Sequence, residues 1–190
     1  MKASAILFLL LTLNTTNAIS EPARALFAGG CFWCMESDFQ EQKGIVDVVS
    51  GFTGGKLQNP TYKGDHTGHF EAIEVSYDPA VISYSQLLDL FWVNIDPFDN
   101  TGQFCDKGFS YRSAIFPANA EQRTLAEESK MQVIARFPDR EVYTEIRDAG
   151  IFWPVEEYHQ DYYLKKPRRY KYYRWRCGRD RRLESIWGER

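Results

Sequence analysis

At 190 residues the chain is long enough for one ordinary domain with a real core, and 44% hydrophobic with 15% aromatic content places it among globular proteins. No stretch after residue 20 approaches the roughly 18 apolar residues that a membrane span needs. The net charge of −3 hides an asymmetry: Lys165 to Arg190 holds eleven Lys or Arg against three Asp or Glu, about +8, which leaves the remainder near −11. Without a nucleic-acid motif beside it, this basic, Tyr-rich tail reads as a solvated, partly helical segment packing on an acidic body.

In chain order, Met1-Lys2 is a short positive start, Ala3 to Leu13 is an apolar run, and Thr16-Asn17-Ala18 supplies small residues for cleavage. That pattern is a secretory signal peptide over residues 1–18, with a mature domain at 19–190 exported to the periplasm or the medium. An oxidising compartment would tend to pair the four cysteines. Residues 24–28 read as a strand. Gly29-Gly30 allow a sharp turn, and a helix follows over 31–41 with Phe32, Met35 and Phe39 at three- and four-residue spacing. Ile45 to Phe52 is a second, buried strand, and residues 53–68 form a long loop of turn formers.

His69 to Tyr77 alternates as a strand, with His69, Glu71, Ile73, Val75 and Tyr77 as the inward set. Ser83 and Gln86 have capping-box spacing ahead of a buried helix ending at Val93. A second polar loop, 96–108, carries Cys105 and Asp106. Tyr111 to Phe116 is a short strand, Asn119 caps a helix running to about Arg136, and Val142 to Ile146 is an edge strand. A helical turn or two surrounds His159 within 155–164, before the basic tail at about 165–190. This order predicts an α+β fold. We expect a two-layer α/β sandwich, a ferredoxin-like mixed sheet with helices packed on it and long active-site loops.

Chemistry concentrates at Cys31. A thiol at the first turn of a helix faces unpaired N–H groups and the positive end of the dipole, which favours the nucleophilic thiolate. Phe32 and Trp33 beside it can wall an apolar pocket. Cys31-Phe32-Trp33-Cys34 is also a C-x-x-C, compatible with zinc, a thiol-redox pair or structural disulfides. Zinc is disfavoured because no second C-x-x-C completes four ligands. Glu71, an inward carboxylate, is either paired or neutral, and a neutral Glu is a proton donor. Tyr62, Asp106 and Tyr111 lie on or beside the long loops, and His159 stands near the end of the domain.

Seven motifs in order resemble the A-type peptide methionine sulfoxide reductases. They are Gly30-Cys31-Phe32-Trp33 with Met35-Glu36, Gly51-Phe52-Thr53-Gly54-Gly55, Asn59-Pro60-Thr61-Tyr62, Thr67-Gly68-His69-Phe70-Glu71-Ala72, Tyr77-Asp78-Pro79, Tyr111-Arg112-Ser113-Ala114-Ile115 and Glu157-Tyr158-His159-Gln160. The resemblance implies reduction of the S epimer of methionine sulfoxide, free or in oxidised proteins and peptides, as a repair reaction. It implies that Cys31 attacks sulfur and becomes a sulfenic acid, and that Phe32, Trp33 and His159 bind substrate. Glu71 would protonate the oxygen, Tyr62 and Tyr111 would bond it, and Asp106 would organise the polar side. An intramolecular disulfide would follow, reduced by a thioredoxin-like donor, with no metal or other cofactor, in a monomer. The tail cysteine Cys177 is the expected resolving thiol, with Cys34 and Cys105 as alternatives. A C-x-x-C thiol–disulfide oxidoreductase and a disulfide-stapled module are the competing classes.

Overall fold

The structure, a computed structural model, describes residues 21–148 and 150–189; the expected signal peptide lies outside them. A six-stranded sheet organises the fold, in the order β7-β6-β1-β3-β2-β8. Its strands are β1 (Ala23–Gly29), β2 (Ile45–Thr53), β3 (Phe70–Tyr77), β6 (Ser113–Ile115), β7 (Glu145–Ile146) and β8 (Trp153–Pro154). All pairings are antiparallel except β6 with β7, which makes the sheet mixed as expected. Strand β8 carries no sequence signal. It is two residues long and contains Pro154, a residue tolerated at a sheet edge.

One face of the sheet is covered by helices. α1 (Phe32–Gln40) and α2 (Tyr84–Val93) bring Phe39 and Phe91 against Phe27, with ring centroids 5.5 and 5.2 Å apart. α3 (Ala120–Arg136) packs against α2, where the Trp92 indole donates to Ser129 Oγ. The caps are those the sequence predicts: Ser83 and Gln86 form a capping box, and the Asn119 side chain accepts from Gln122 N–H.

The opposite face is buried too, which corrects the two-sided reading of β3. Phe70 and Ala72, the expected outer set, are as inaccessible as Ile73 and Val75. They join Leu26, Ala28, Ala114 and Phe116 in a second apolar cluster. Loops and the short 3-10 turn Phe109–Tyr111, rather than α-helices, cover it, with Phe109 against Phe70. Alternation weakens as a guide where both faces are covered.

One loop expectation also changes. Within 96–108 the chain forms a hairpin, β4 (Gly102–Gln103) with β5 (Asp106–Lys107), turning at Phe104-Cys105. The basic tail is helical as expected, docked as α5 (Pro167–Cys177) and α6 (Arg179–Trp187) after the single turn α4 (Tyr162–Lys165). Gly178 joins α5 to α6 with φ of +70°, a conformation that glycine adopts without strain. Arg179 is 1% exposed and donates to the carbonyls of Gly29 and Asn94, under the end of β1.

Candidate active site

The register of the sheet sets the site. β1 pairs with β3 through Phe27 opposite Ile73, so Glu71 lies beside the end of β1, where the chain turns into α1. Gly30 makes that turn with φ of +85°, and a Cβ there would sit 2.6 Å from Gln103 Cβ, so the close approach requires glycine. Cys31 is the N-cap residue of α1, but its side chain caps nothing. The first helical N–H, that of Phe32, instead donates to Glu71 Oε2 at 3.1 Å.

This exchange alters the expected electrostatics. Burial pushes the Cys31 thiol well above its ordinary value, and its neighbour Cys34 pushes it further. Cys34 moves down, chiefly because it accepts a hydrogen bond from Cys31, with Arg179 and Arg174 adding favourable charge. The two thiols are hydrogen-bonded to each other and titrate as a pair.

Glu71 is 2% exposed. Burial outweighs the amide that it accepts and raises its carboxyl to about 8, so it is protonated at neutral pH. Tyr111 hydrogen-bonds Glu71, and burial raises its phenol above the usual range. Burial also takes the Tyr62 phenol to about 12, with Glu71 and Cys31 adding to it. Both tyrosines stay neutral donors. Asp106, on β5, is raised first by desolvation and accepts from the hydroxyl of Tyr173.

An aromatic wall closes the other side. Phe32 is buried against Phe52 and Tyr62. The Trp33 indole N–H donates to His159 Nδ1 at 3.1 Å, and the His159 ring lies 4.1 Å from that of Tyr62. Desolvation lowers His159, so it is neutral, and with Nδ1 accepting, its proton is assigned to Nε2. Gln160 fixes this segment by bonding Ser50 N–H, Ser50 O and Val155 O. His69, on the inward set with Glu71, faces the long loop and hydrogen-bonds the backbone of Gly55 and Leu57.

The structure thus gathers Cys31, Cys34, Glu71, Tyr62, Tyr111, Phe32, Trp33 and His159, and brings Asp106 in through Tyr173. The remaining cysteines are elsewhere. Cys105 and Cys177 form a disulfide, with Cα atoms 5.0 Å apart, while Cys31 and Cys34 are free and buried. The expected resolving residue Cys177 is therefore engaged with Cys105 in this state, and Cys34 is the thiol touching Cys31.

Two aromatic residues of the site escaped the sequence reading. Tyr162 stacks on Trp33 at 3.9 Å, and the Tyr173 hydroxyl bonds both Asp106 and Cys31. For Tyr173 the signal is the helical spacing of Tyr170, Tyr173, Arg174 and Cys177 within the basic tail.

The family model for peptide methionine sulfoxide reductase matches residues 23–190. The chain belongs to that family. A peptide methionine sulfoxide reductase MsrA of Bacillus licheniformis is 52% identical over 171 residues, 87% of this chain and 94% of the relative. The solved methionine sulfoxide reductase A of Corynebacterium diphtheriae is 30% identical, with a TM-score of 0.68 over 82% of this chain and 80% of its own. Mxr1 of Saccharomyces cerevisiae, solved in complex with Trx2, shares the fold at 21% identity and a TM-score of 0.55, over 80% of this chain and 92% of its own. As a peptide methionine sulfoxide reductase of the MsrA type, this chain is an oxidoreductase working through thiol and disulfide chemistry.

Proposed function

We propose that this reductase acts on the S epimer of methionine sulfoxide, free or in oxidised proteins and peptides, to repair oxidised methionine. The observation that carries the mechanism is a proton donor fixed at the first amide of the helix that Cys31 caps: Glu71, neutral up to about pH 8, beside the hydrogen-bonded pair of Cys31 and Cys34. Cys31 attacks the sulfoxide sulfur and hands its thiol proton to Cys34. Glu71 gives its proton to the sulfoxide oxygen, which Tyr62 and Tyr111 bond. The substrate leaves as methionine and Cys31 is left as a sulfenic acid. Phe32, Trp33 and His159 hold the S-methyl side, and Asp106 organises the polar side.

The sulfenic acid then condenses with a thiol, forming a disulfide and releasing water. Contact favours Cys34 as that thiol. Cys177, the residue expected from the sequence, is available for the role only once its bond to Cys105 is open, and Cys105 shares that condition. A dithiol donor of the thioredoxin class returns the enzyme to its starting state, a reading supported by the Mxr1 relative solved with Trx2. The working unit is a monomer that needs no metal or other cofactor. Export by the signal peptide rests on the sequence pattern of residues 1–18, and the Cys105–Cys177 disulfide suits an oxidising compartment.

One experiment tests both parts. A single turnover with a peptide carrying methionine S-sulfoxide should release one methionine and leave a Cys31–Cys34 disulfide on mass mapping. A Cys31–Cys177 bond would reinstate the tail cysteine as the resolving thiol. Turnover of the R epimer alone, or none with Cys31 intact whether the Cys105–Cys177 bond is closed or reduced, would overturn the proposed activity.

A further inference from the structure

Tyr173 has no part in the reaction just described, yet it occupies the reacting site. Its hydroxyl donates to Asp106 and bonds Cys31, and its ring meets Trp33 edge-on at 6.0 Å. The side chain therefore lies between the polar side and the apolar wall, where a bound sulfoxide would have to lie. Cys31 is 6% exposed, in a cluster with Tyr162 and Tyr170 against which Tyr173 packs. A substrate sulfur cannot reach it while Tyr173 stays in place.

Tyr173 is held there from outside. It sits on α5, one turn before Cys177, and the Cys105–Cys177 disulfide joins α5 to the hairpin that carries Asp106. The disulfide and the Tyr173–Asp106 hydrogen bond therefore clamp the same two elements together. A covalent tether across 72 residues keeps the two at high effective concentration, so α5 re-docks faster than it leaves. Gly178 lies just beyond, joining α5 to α6 next to the anchored Arg179, with Arg174 of α5 bonded to Asp180 of α6 across the turn. Cys105 is exposed, so the bond is open to attack from solvent.

We propose that the Cys105–Cys177 disulfide is a latch that keeps Tyr173 in the substrate pocket, and that the pocket opens when a dithiol donor reduces this bond. The proposal rests on the reading of Cys31 as the nucleophile. The opening step is ordinary exchange. A donor thiolate attacks the exposed Cys105 sulfur, the S–S bond breaks, and Cys177 leaves as a thiolate and takes up a proton. The donor's second thiol then resolves the mixed disulfide. Two cysteine thiols are left on this chain and one disulfide on the donor. The thioredoxin-class donor of the proposed cycle supplies those electrons.

The test is the rate at which iodoacetamide labels Cys31 in the mature chain, followed by peptide mass mapping. Three forms are compared: outer disulfide intact, outer disulfide reduced, and Cys105→Ser. A latched pocket is open only a small fraction of the time, so reduction or Cys105→Ser should speed labelling by about tenfold or more. Tyr173→Ala should be labelled as fast with the disulfide intact. Equal labelling with the latch closed and open in the wild-type chain overturns the proposal, and so does slow labelling of folded Tyr173→Ala. Methionine release from a methionine S-sulfoxide peptide, measured on the same forms, separates the two readings. Gated labelling without methionine release supports the latch and removes the reductase reading. Release at the same rate from closed and open forms removes the latch and keeps the reductase.

Discussion

The inner pocket and its outer cover are built on opposite physical terms. Inside, Cys31, Cys34 and Glu71 are set by strand register and the start of one helix, in surroundings dry enough to keep a carboxyl neutral. Outside, the β4–β5 hairpin and α5 are held by a disulfide, by Asp106 with Tyr173, and by Arg174 with Asp38. The inner arrangement is a fixed consequence of the fold. The outer one depends on a bond that a thiol can undo. Burial thus does two jobs in one site: it makes an acid of Glu71 permanently, and it hides the nucleophile conditionally.

The sharpest way to break that comparison is at its inner member. Cys31→Ser should lower methionine release by at least about 10⁴-fold in a single-turnover assay, because it removes the attacking sulfur of the proposed reaction. Glu71→Gln should cost about 10²- to 10⁴-fold in kcat/KM, the usual worth of a positioned general acid. The pH profile carries the sign. With the folded carboxyl at about 8, raised from its ordinary value by burial, the proton is present below that pH and lost as pH rises through it. Wild-type kcat/KM should therefore fall above about pH 8, and the residual activity of Glu71→Gln should lack that descending limb.

At the outer member, Arg179→Ala should lower stability by about 3–5 kcal/mol in urea titration, since it strips a buried cation from Asp38 and from two backbone carbonyls. A loss below about 1 kcal/mol would mean that the cover is not coupled to the core. The smallest effect belongs to the aromatic wall. Trp33→Phe keeps a ring but loses the N–H that holds His159, and should raise KM roughly fivefold, about 1 kcal/mol, with kcat little changed.

Much of the inner half was legible in the sequence, because it is made of local patterns. The Ser83 and Asn119 caps, the glycine turn before Cys31 and the inward Glu71 each follow from a few neighbouring residues. What escaped the reading was made by distant partners. Phe70 and Ala72 are covered by loops whose course no periodicity reports. The Cys105–Cys177 bond joins positions 72 residues apart, and four cysteines permit three pairings. The coupling of Cys31 to Cys34 was hidden for a related reason. The sequence places a thiol at a helix start, but only the fold reveals that Glu71 takes the first amide and that tail arginines approach Cys34. Tyr173 was obscured by the charge around it.

The anchoring of Arg179 bears on when reactivity appears during folding. Its guanidinium supports the Gly29 carbonyl at the end of β1, 150 residues earlier in the chain, and Asn94 on the far side. The loop that presents Cys31 is therefore not fully braced until almost the last segment has been made and docked. A nascent or C-terminally clipped chain would hold its cysteines in an unfinished cradle. Maturation of the thiol is thus timed by the arrival of the carboxy-terminal helix, so only chains complete to α6 would carry a finished site.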